Sequence, residues 1–260
     1  MINNFFQINK LSVLHNSQTV FFCKTDYLLE DFNTIQQLNN DVILITGNSD
    51  YAITEDLVKI APKNIIKWYA QNALPNSEIL EPIPIGLENK LESYRLNHGV
   101  GYYDRAVNRE SLIKKYQDYT SLDVNKNKIY ANFNISTNVH YRDAVRNIIN
   151  GNNHVVWEEP NHSLESYYQK MIEFDMILCP IGNGIDTHRL WEVLYCNRIP
   201  VTIKINNFKI YELYNKLPII LLDKIEDLHD IDLILSKKKE IQSKKYDSSI
   251  LDTNYWIKKI

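Results

Sequence analysis

Glycine is scarce in this chain. It holds 7 in 260 residues, where ordinary usage of roughly 7% would give about 18. That excludes collagen-like and Gly-rich low-complexity sequences and argues against functions built on several glycine-rich loops. Walker A, GxGxxG, GxSxG and kinase patterns are all missing. Cysteine is scarce too: Cys23, Cys179 and Cys196 stand in apolar contexts with no CxxC. They make no disulfide framework and point to a reduced, cytoplasmic protein. No apolar run approaches the roughly 18 residues of a membrane span. The opening MINNFFQINKLSVLH lacks the charged stretch and apolar core of a signal peptide. A basic excess is absent as well: 29 Lys+Arg face 32 Asp+Glu, for a net charge of −3. Bulk charge therefore gives no support for nucleic-acid binding. His98, His140, His154 and His162 show no metal-ligand spacing, and neither HExxH nor Asp-x-Asp occurs, Asp123/Asn125 being a weak imitation. No metal and no cofactor are expected.

What is present is a soluble, well-cored composition with 44% hydrophobic and 23% charged residues. Short apolar runs alternate with longer amphipathic stretches. Strands are expected at Val20–Cys23, Val42–Thr46, Ile65–Trp68, Ile83–Ile85, Ile129–Phe133, His154–Trp157, Met176–Cys179, Pro200–Ile203 and Ile219–Leu222. Several are β-branched without alternation, as parallel strands buried on both faces should be. Helices are expected near 27–39, 54–60, 108–118, 138–150, 164–173, 187–196 and 208–216. The alternation reads as α/β. The polar stretch TSLDVNKNK places a seam near 119–128. Two Rossmann-like parallel-sheet domains facing a central cleft are therefore expected. Residues 1–122 form the first domain, and residues 123–260 form the second, with closing C-terminal helices. The acidic excess lies in the first half, 11 Lys+Arg against 15 Asp+Glu over residues 1–124. The second half, 18 against 17, suits an anionic ligand better. The basic run SKKKEIQSKK, 236–245, reads as a solvated helix face, with contact to acidic lipid at the inner face of a membrane as the alternative.

Residues 174–204, FDMILCPIGNGIDTHRLWEVLYCNRIPVTIK, carry the richest pattern. A buried strand runs into Pro180 and the turn Gly182, Asn183, Gly184. Asp186 or Thr187 then caps a helix bearing His188, Arg189 and Glu192. Two glycines let backbone approach a ligand, and a helix N-terminus offers N–H groups and partial positive charge to a phosphate. Arg189 adds a fork of donors, and Glu192, three residues on, is placed to accept hydrogen bonds from a ribose. The bland alternative is a helix-surface ion pair between the two.

The segment LCPIGNGIDTHRLWEVLYCNRIPV resembles the signature of exostosin-like glycosyltransferases, in which Pro-x-Gly leads into Asp-Thr-x-Arg-x-x-Glu and then Ile-Pro-Val. The resemblance implies a GT-B enzyme: two Rossmann-like domains, a sugar nucleotide held mainly by the second, and inversion at the anomeric carbon. A UDP-sugar is taken as donor because such donors are frequent. The stretch IYANFNISTNVHYRDAVRNIIN, 129–150, follows a strand with a polar loop and places Arg142 toward the diphosphate, with Asn134 and Ser136 in the loop. Solvated arginines are the alternative there. In VILITGNSDYAI, Asp50 is the leading general base for an acceptor hydroxyl; helix capping is its alternative role. Glu88 is the second base candidate. Trp68, Tyr69, Gln71 and Asn72 suit an acceptor sugar, rings stacking and amides reading hydroxyls, with core packing as the alternative for the two aromatics.

The function expected is transfer of a sugar from a nucleotide diphosphate sugar to a glycan or glycolipid. A non-catalytic nucleotide-sugar or glycan binder is the competing class. An epimerase, which needs a Gly-rich NAD fingerprint, is disfavoured. Alanine at Arg189 or Glu192 is expected to abolish donor binding with little change in melting temperature.

Overall fold

The computed structural model describes residues 2, 4–15, 19–74, 77–88, 102–119, 124–160, 163–205 and 207–260. His98, Asp123, Asn161, His162 and the expected boundary at 122/123 lie outside them. The chain is mixed α/β with two all-parallel sheets. Contacts divide it into two units: Ile2–Asn108 with Asn207–Leu213 and Ser248–Ile260, and Arg109–Asn206 with Tyr214–Asp247.

The first-sheet unit orders its strands β1 (Val20–Lys24), β2 (Val42–Gly47), β3 (Ile65–Ala70) and β4 (Leu80–Pro82) consecutively. Winding in one direction puts the crossovers on one face. There Leu28, Phe32 and Ile35 of α1 (Leu28–Ile35) pack on Cys23, Val42, Leu44, Trp68, Ala70 and Leu80. The short α2 (Glu55–Lys59) is capped by Thr54, whose hydroxyl accepts from the Leu57 N–H. The opposite face is covered by the N-terminal stretch and the C-terminal helix. A Cβ on Gly47 would run into the Ile8 side chain, which any larger residue there would have to displace. Trp256 is fully buried against Phe6, and Thr253 donates its N–H and hydroxyl to the Asn4 and Phe5 carbonyls.

Two expectations shift here. The strand expected at Ile83–Ile85 lies at Leu80–Pro82. The Ile83 N–H makes one more bond, to the Ala70 carbonyl, and Pro84 has no N–H with which to continue. The C-terminal segment, expected to close the second domain, packs with the first sheet.

The remaining helices are α3 (Tyr102–Tyr116), α4 (Val139–Ile149), α5 (Leu164–Met171), α6 (His188–Tyr195), α7 (Ile210–Tyr214), α8 (Ile231–Ser243) and α9 (Thr253–Lys259). The second-sheet unit holds β5 (Asn125–Ala131), β6 (Val155–Trp157), β7 (Phe174–Leu178), β8 (Ile199–Ile203) and β9 (Ile220–Leu222), in the order β6-β5-β7-β8-β9. Ile129, Ala131, Met176, Leu178, Val201 and Ile203 turn one way, onto Val145 and Ile149 of α4 and Ile234 of α8. Tyr130, of opposite parity, meets Tyr167 of α5. The sheet is thus covered on both faces, as the apolar runs at its centre require. Asn138, Ser163 and Asp230 cap α4, α5 and α8. The residues expected as a polar seam partly form β5, whose first four residues are exposed and hence polar. In the basic run, Lys238 turns inward: it is 6% exposed and bonds the Asp175 carboxylate and the Lys126 carbonyl. The run is therefore not wholly a solvated face. Among the described residues, no helix is long and apolar enough to cross a membrane.

Candidate functional site

Strand order locates the site. From β5 the chain moves out to β6, then returns to β7 on the other side of β5. The connections leaving β5 and β7 therefore diverge, and such a switch point is where open α/β sheets bind ligands. The segments at these two carboxyl ends are 132–138 and 179–187, the two richest in the sequence.

Arg142, near the start of α4, stitches them together. Its Nε donates to the Ile181 carbonyl (2.7 Å), Nη1 to Asn134 (2.8 Å) and Nη2 to Pro180 (3.4 Å). Asn138, besides capping α4, donates to the Gly182 carbonyl at 2.7 Å. A Cβ on Gly182 would meet Arg142, Thr137 and Thr187 no closer than 3.6 Å, and its φ is not positive. The turn itself therefore does not need glycine there.

Arg189 opens α6. Its guanidinium lies 3.8 Å from the centre of the Tyr167 ring, and Nη1 donates to the Asn132 carbonyl at 2.7 Å. Burial pushes the Arg189 pKa down, but Tyr167 and Glu192 overcome this and leave it above its ordinary value. Burial, then the charge of Arg189, lowers Arg142 to about 10. Two like charges are thus held close enough to feel each other beside the start of a helix. Thr187 occupies the N-cap position without a side-chain cap hydrogen bond. Asp186, 3% exposed, accepts instead from Trp191 Nε1 (2.7 Å) and the Tyr214 hydroxyl (2.8 Å), which anchors α6. That carboxylate is thus turned toward the interior of the unit. Asn134, Ser136 and Asn183 are exposed, Thr187 and His188 half-buried, and Gly184 buried. Ser136 donates its N–H and hydroxyl to Asn134 Oδ1 at 2.9 and 2.8 Å.

Glu192 departs from its expected role. Its carboxylate is 1% exposed and sits 2.6 Å from Arg109 Nη1 and 3.6 Å from Arg189 Nε. A ribose cannot reach a carboxylate so enclosed. The residue neutralises two arginines inside the unit.

In the first-sheet unit, the four acceptor candidates are all buried. Trp68 is 0% exposed, in the core, with its indole N–H on the Thr46 hydroxyl at 2.9 Å. Tyr69 is 5% exposed on the opposite face, its hydroxyl on the Lys259 carbonyl. Gln71 and Asn72, at 2% and 1%, spend their amides on the backbone of Asn48 and Ser49. None can meet a sugar as the fold stands. Asp50 is exposed and does not cap α2, which Thr54 does. Glu88 is 8% exposed, a poor position for a base that must reach an acceptor.

The sequence reading missed three residues of the site. Asn132 offered one signal, a polar residue at a strand's carboxyl end. Tyr167 and Arg109 offered none, being brought in from helices with no recognisable pattern.

Among the described residues, no group of three or more His, Cys, Asp or Glu is placed to hold a metal. A scan against family models matches none, and no curated protein matches the sequence. Fold and site together define an α/β protein with an arginine-lined switch point on its second sheet.

Proposed function

We propose that this chain is a GT-B-type glycosyltransferase that binds a nucleoside diphosphate sugar, taken as UDP-linked, at the carboxyl ends of β5 and β7. The carrying observation is the Arg142–Arg189 pair beside the start of α6. Two neighbouring guanidinium groups lie at the topological switch point, and the carboxylate paired with Arg189, Glu192, is shared with Arg109.

In the reaction, an acceptor hydroxyl oxygen of a glycan or glycolipid attacks the anomeric carbon. The bond from that carbon to the β-phosphate oxygen breaks, and the electron pair leaves with the nucleoside diphosphate. Arg142, Arg189 and the helix terminus stabilise that charge, for which preorganised donors serve without a metal. The hydroxyl proton passes to a carboxylate, for which Asp50 is the exposed candidate. Inversion follows from the resemblance to the exostosin-like family. A cytoplasmic location, with α8 near acidic lipid, belongs to the same proposal.

One observation favours a second reading. Burial of Trp68, Tyr69, Gln71 and Asn72 removes the acceptor contacts the sequence suggested, leaving nucleotide-sugar binding without transfer.

Calorimetric titration with UDP, GDP and CMP tests the site. One of them is expected to bind at about micromolar affinity, weakened at least tenfold in Arg189→Lys and Arg142→Lys, which keep charge but lose the fork. Failure of all three to bind overturns the proposal. Product detection with a donor and acceptor panel then separates transfer from binding alone.

A further inference from the structure

The loop that follows β2 contains more buried polar structure than a strand-to-helix turn requires. Asn9, Asn48, Ser49, Gln71 and Asn72 are all 3% exposed or less. Gln71 accepts from the Asn48 N–H at 2.9 Å and donates to the Ser49 carbonyl at 3.2 Å, where Asn72 also donates at 3.1 Å. The Asn48 side-chain amide donates to Asn9 from below. Asn48 and Asn72 hold φ of 55° and 52°, left-handed backbone that asparagine adopts more readily than other non-glycine residues.

This frame leads directly to two residues that contribute little to the fold. Asp50 is exposed, and the next helix is capped without it. Tyr51 is 66% exposed, one of few large side chains left to water. A hydrogen-bonded base is thus followed by two consecutive exposed residues, one a carboxylate and one an aromatic ring.

We propose that Asp50 and Tyr51 form a saccharide-binding subsite. One C–H face of a pyranose stacks on the Tyr51 ring, whose π-face carries partial negative charge. Adjacent hydroxyls donate to the Asp50 carboxylate, an acceptor-only group when ionised. The chemistry selects this class of ligand. An anionic group is repelled by Asp50. A protein partner needs a broad apolar core, whereas the chain after Tyr51 turns inward at once, with Ala52 half-buried and Ile53 fully buried. One ring and one carboxylate on consecutive residues suit one sugar. The buried amides hold the pair in place before the ligand arrives, which limits the ordering cost of binding. The subsite rests on the transferase reading only in taking the saccharide to be the acceptor.

Saturation-transfer NMR on the full chain tests it, with the methyl α- and β-pyranosides of glucose, galactose, mannose and N-acetylglucosamine at about 10 mM, a range suited to millimolar affinities. At least one is expected to receive saturation from the protein. Tyr51→Phe should keep the signal within twofold, Tyr51→Ala should abolish it, and Asp50→Asn should weaken it several-fold. Tyr51 is exposed, so its variants should fold. Absence of transfer to every glycoside, or an undiminished signal in Tyr51→Ala, overturns the subsite. The same spectra on Arg189→Lys separate the two proposals: a retained saccharide signal leaves this subsite standing even if no nucleotide binds.

Discussion

The guanidinium of Arg189 lies over the ring of Tyr167, 3.8 Å from its centre. The stack fixes the guanidinium plane while Nη1 is held by the Asn132 carbonyl. The orientation of Arg189 therefore depends on a ring from another helix. Cation–π pairs contribute about 0.5–2 kcal/mol depending on desolvation. Tyr167→Leu is accordingly expected to weaken UDP binding by about threefold to tenfold, and Tyr167→Phe, which keeps the ring, by much less. The Tyr167 hydroxyl serves only a contact to the Met171 sulfur. Equal affinities for the Leu and Phe variants in titration calorimetry would show that the stack does not position Arg189.

Glu192 was expected to bind ligand and to be dispensable for stability. Its enclosure between Arg109 and Arg189 reverses both expectations. Removing one partner of a buried ion pair leaves the other charges uncompensated, at a cost of about 3–5 kcal/mol. Glu192→Ala should lower the urea midpoint by a corresponding amount with unchanged slope. An unaltered midpoint together with lost UDP binding would restore the ribose role.

These two residues show what the sequence made legible. Arg142 and Arg189 could be placed beside the switch point because each stands in the first turns of a helix that follows a central strand of the second sheet. Glu192 was misassigned because its partner Arg109 lies 83 positions upstream, and helical spacing reports only neighbours on the same helix. Trp68 and Tyr69 were misassigned for a different reason. A strand buried on both faces loses the alternation that would mark inward and outward positions, so KWYA reads the same whether its rings meet core or solvent. The two sheets themselves were legible from their β-branched runs. The return of the C-terminal segment to the first sheet was not, since it rests on contacts such as that of Thr253 with Phe5, 248 residues apart.

Arg142 carries a pH signature. Its guanidinium, lowered from the ordinary 12.5 to about 10, loses its proton in the folded chain before it would in the unfolded one. The unfolded state then binds more protons, so this group does not destabilise the fold as pH rises through that window. Anion binding does need the charged form. UDP affinity should therefore fall above pH about 10, by up to tenfold per unit. The uracil ring also titrates in alkali, so the measurement is the ratio of wild-type to Arg142→Gln affinities across the range. A ratio independent of pH would remove Arg142 from direct contact with the phosphates.

Trp68 is predicted to serve the core alone. Its ring packs edge-on against Phe32 at 5.8 Å between centres, and its N–H is satisfied by Thr46. Trp68→Ala should cost about 3–5 kcal/mol. Trp68→Phe should cost less while leaving the Thr46 hydroxyl without its indole donor. Saccharide binding at Asp50 and Tyr51, measured on whichever variant stays folded, should be unchanged. Loss of that binding in a fully folded Trp68→Phe protein would revive the acceptor role first read from the sequence.

One carboxylate adds an ion pair to the packing of the last helix. Glu81, on β4, pairs with Lys67 of β3 and, at 2.8 Å, with Lys259 of α9, whose ammonium also lies over the rings of Tyr69 and Trp256. Burial pushes the Glu81 pKa up, but the two lysines more than reverse it, leaving it below the ordinary 4.5. A carboxylate lowered by folding stabilises the fold above its unfolded pKa, and that contribution is lost as pH falls through the folded value. The groups are about one-third exposed, so solvent screening holds the effect to less than about 1 kcal/mol. Glu81→Gln should lower the melting temperature by a few degrees near pH 7, and the difference should shrink as pH falls and the wild-type carboxylate takes up its proton. Hydrogen exchange should locate the loss in α9, because Lys259 is the contact the variant releases there. A melting difference that persists undiminished at low pH would mean that the side chain's packing, not its charge, holds the helix.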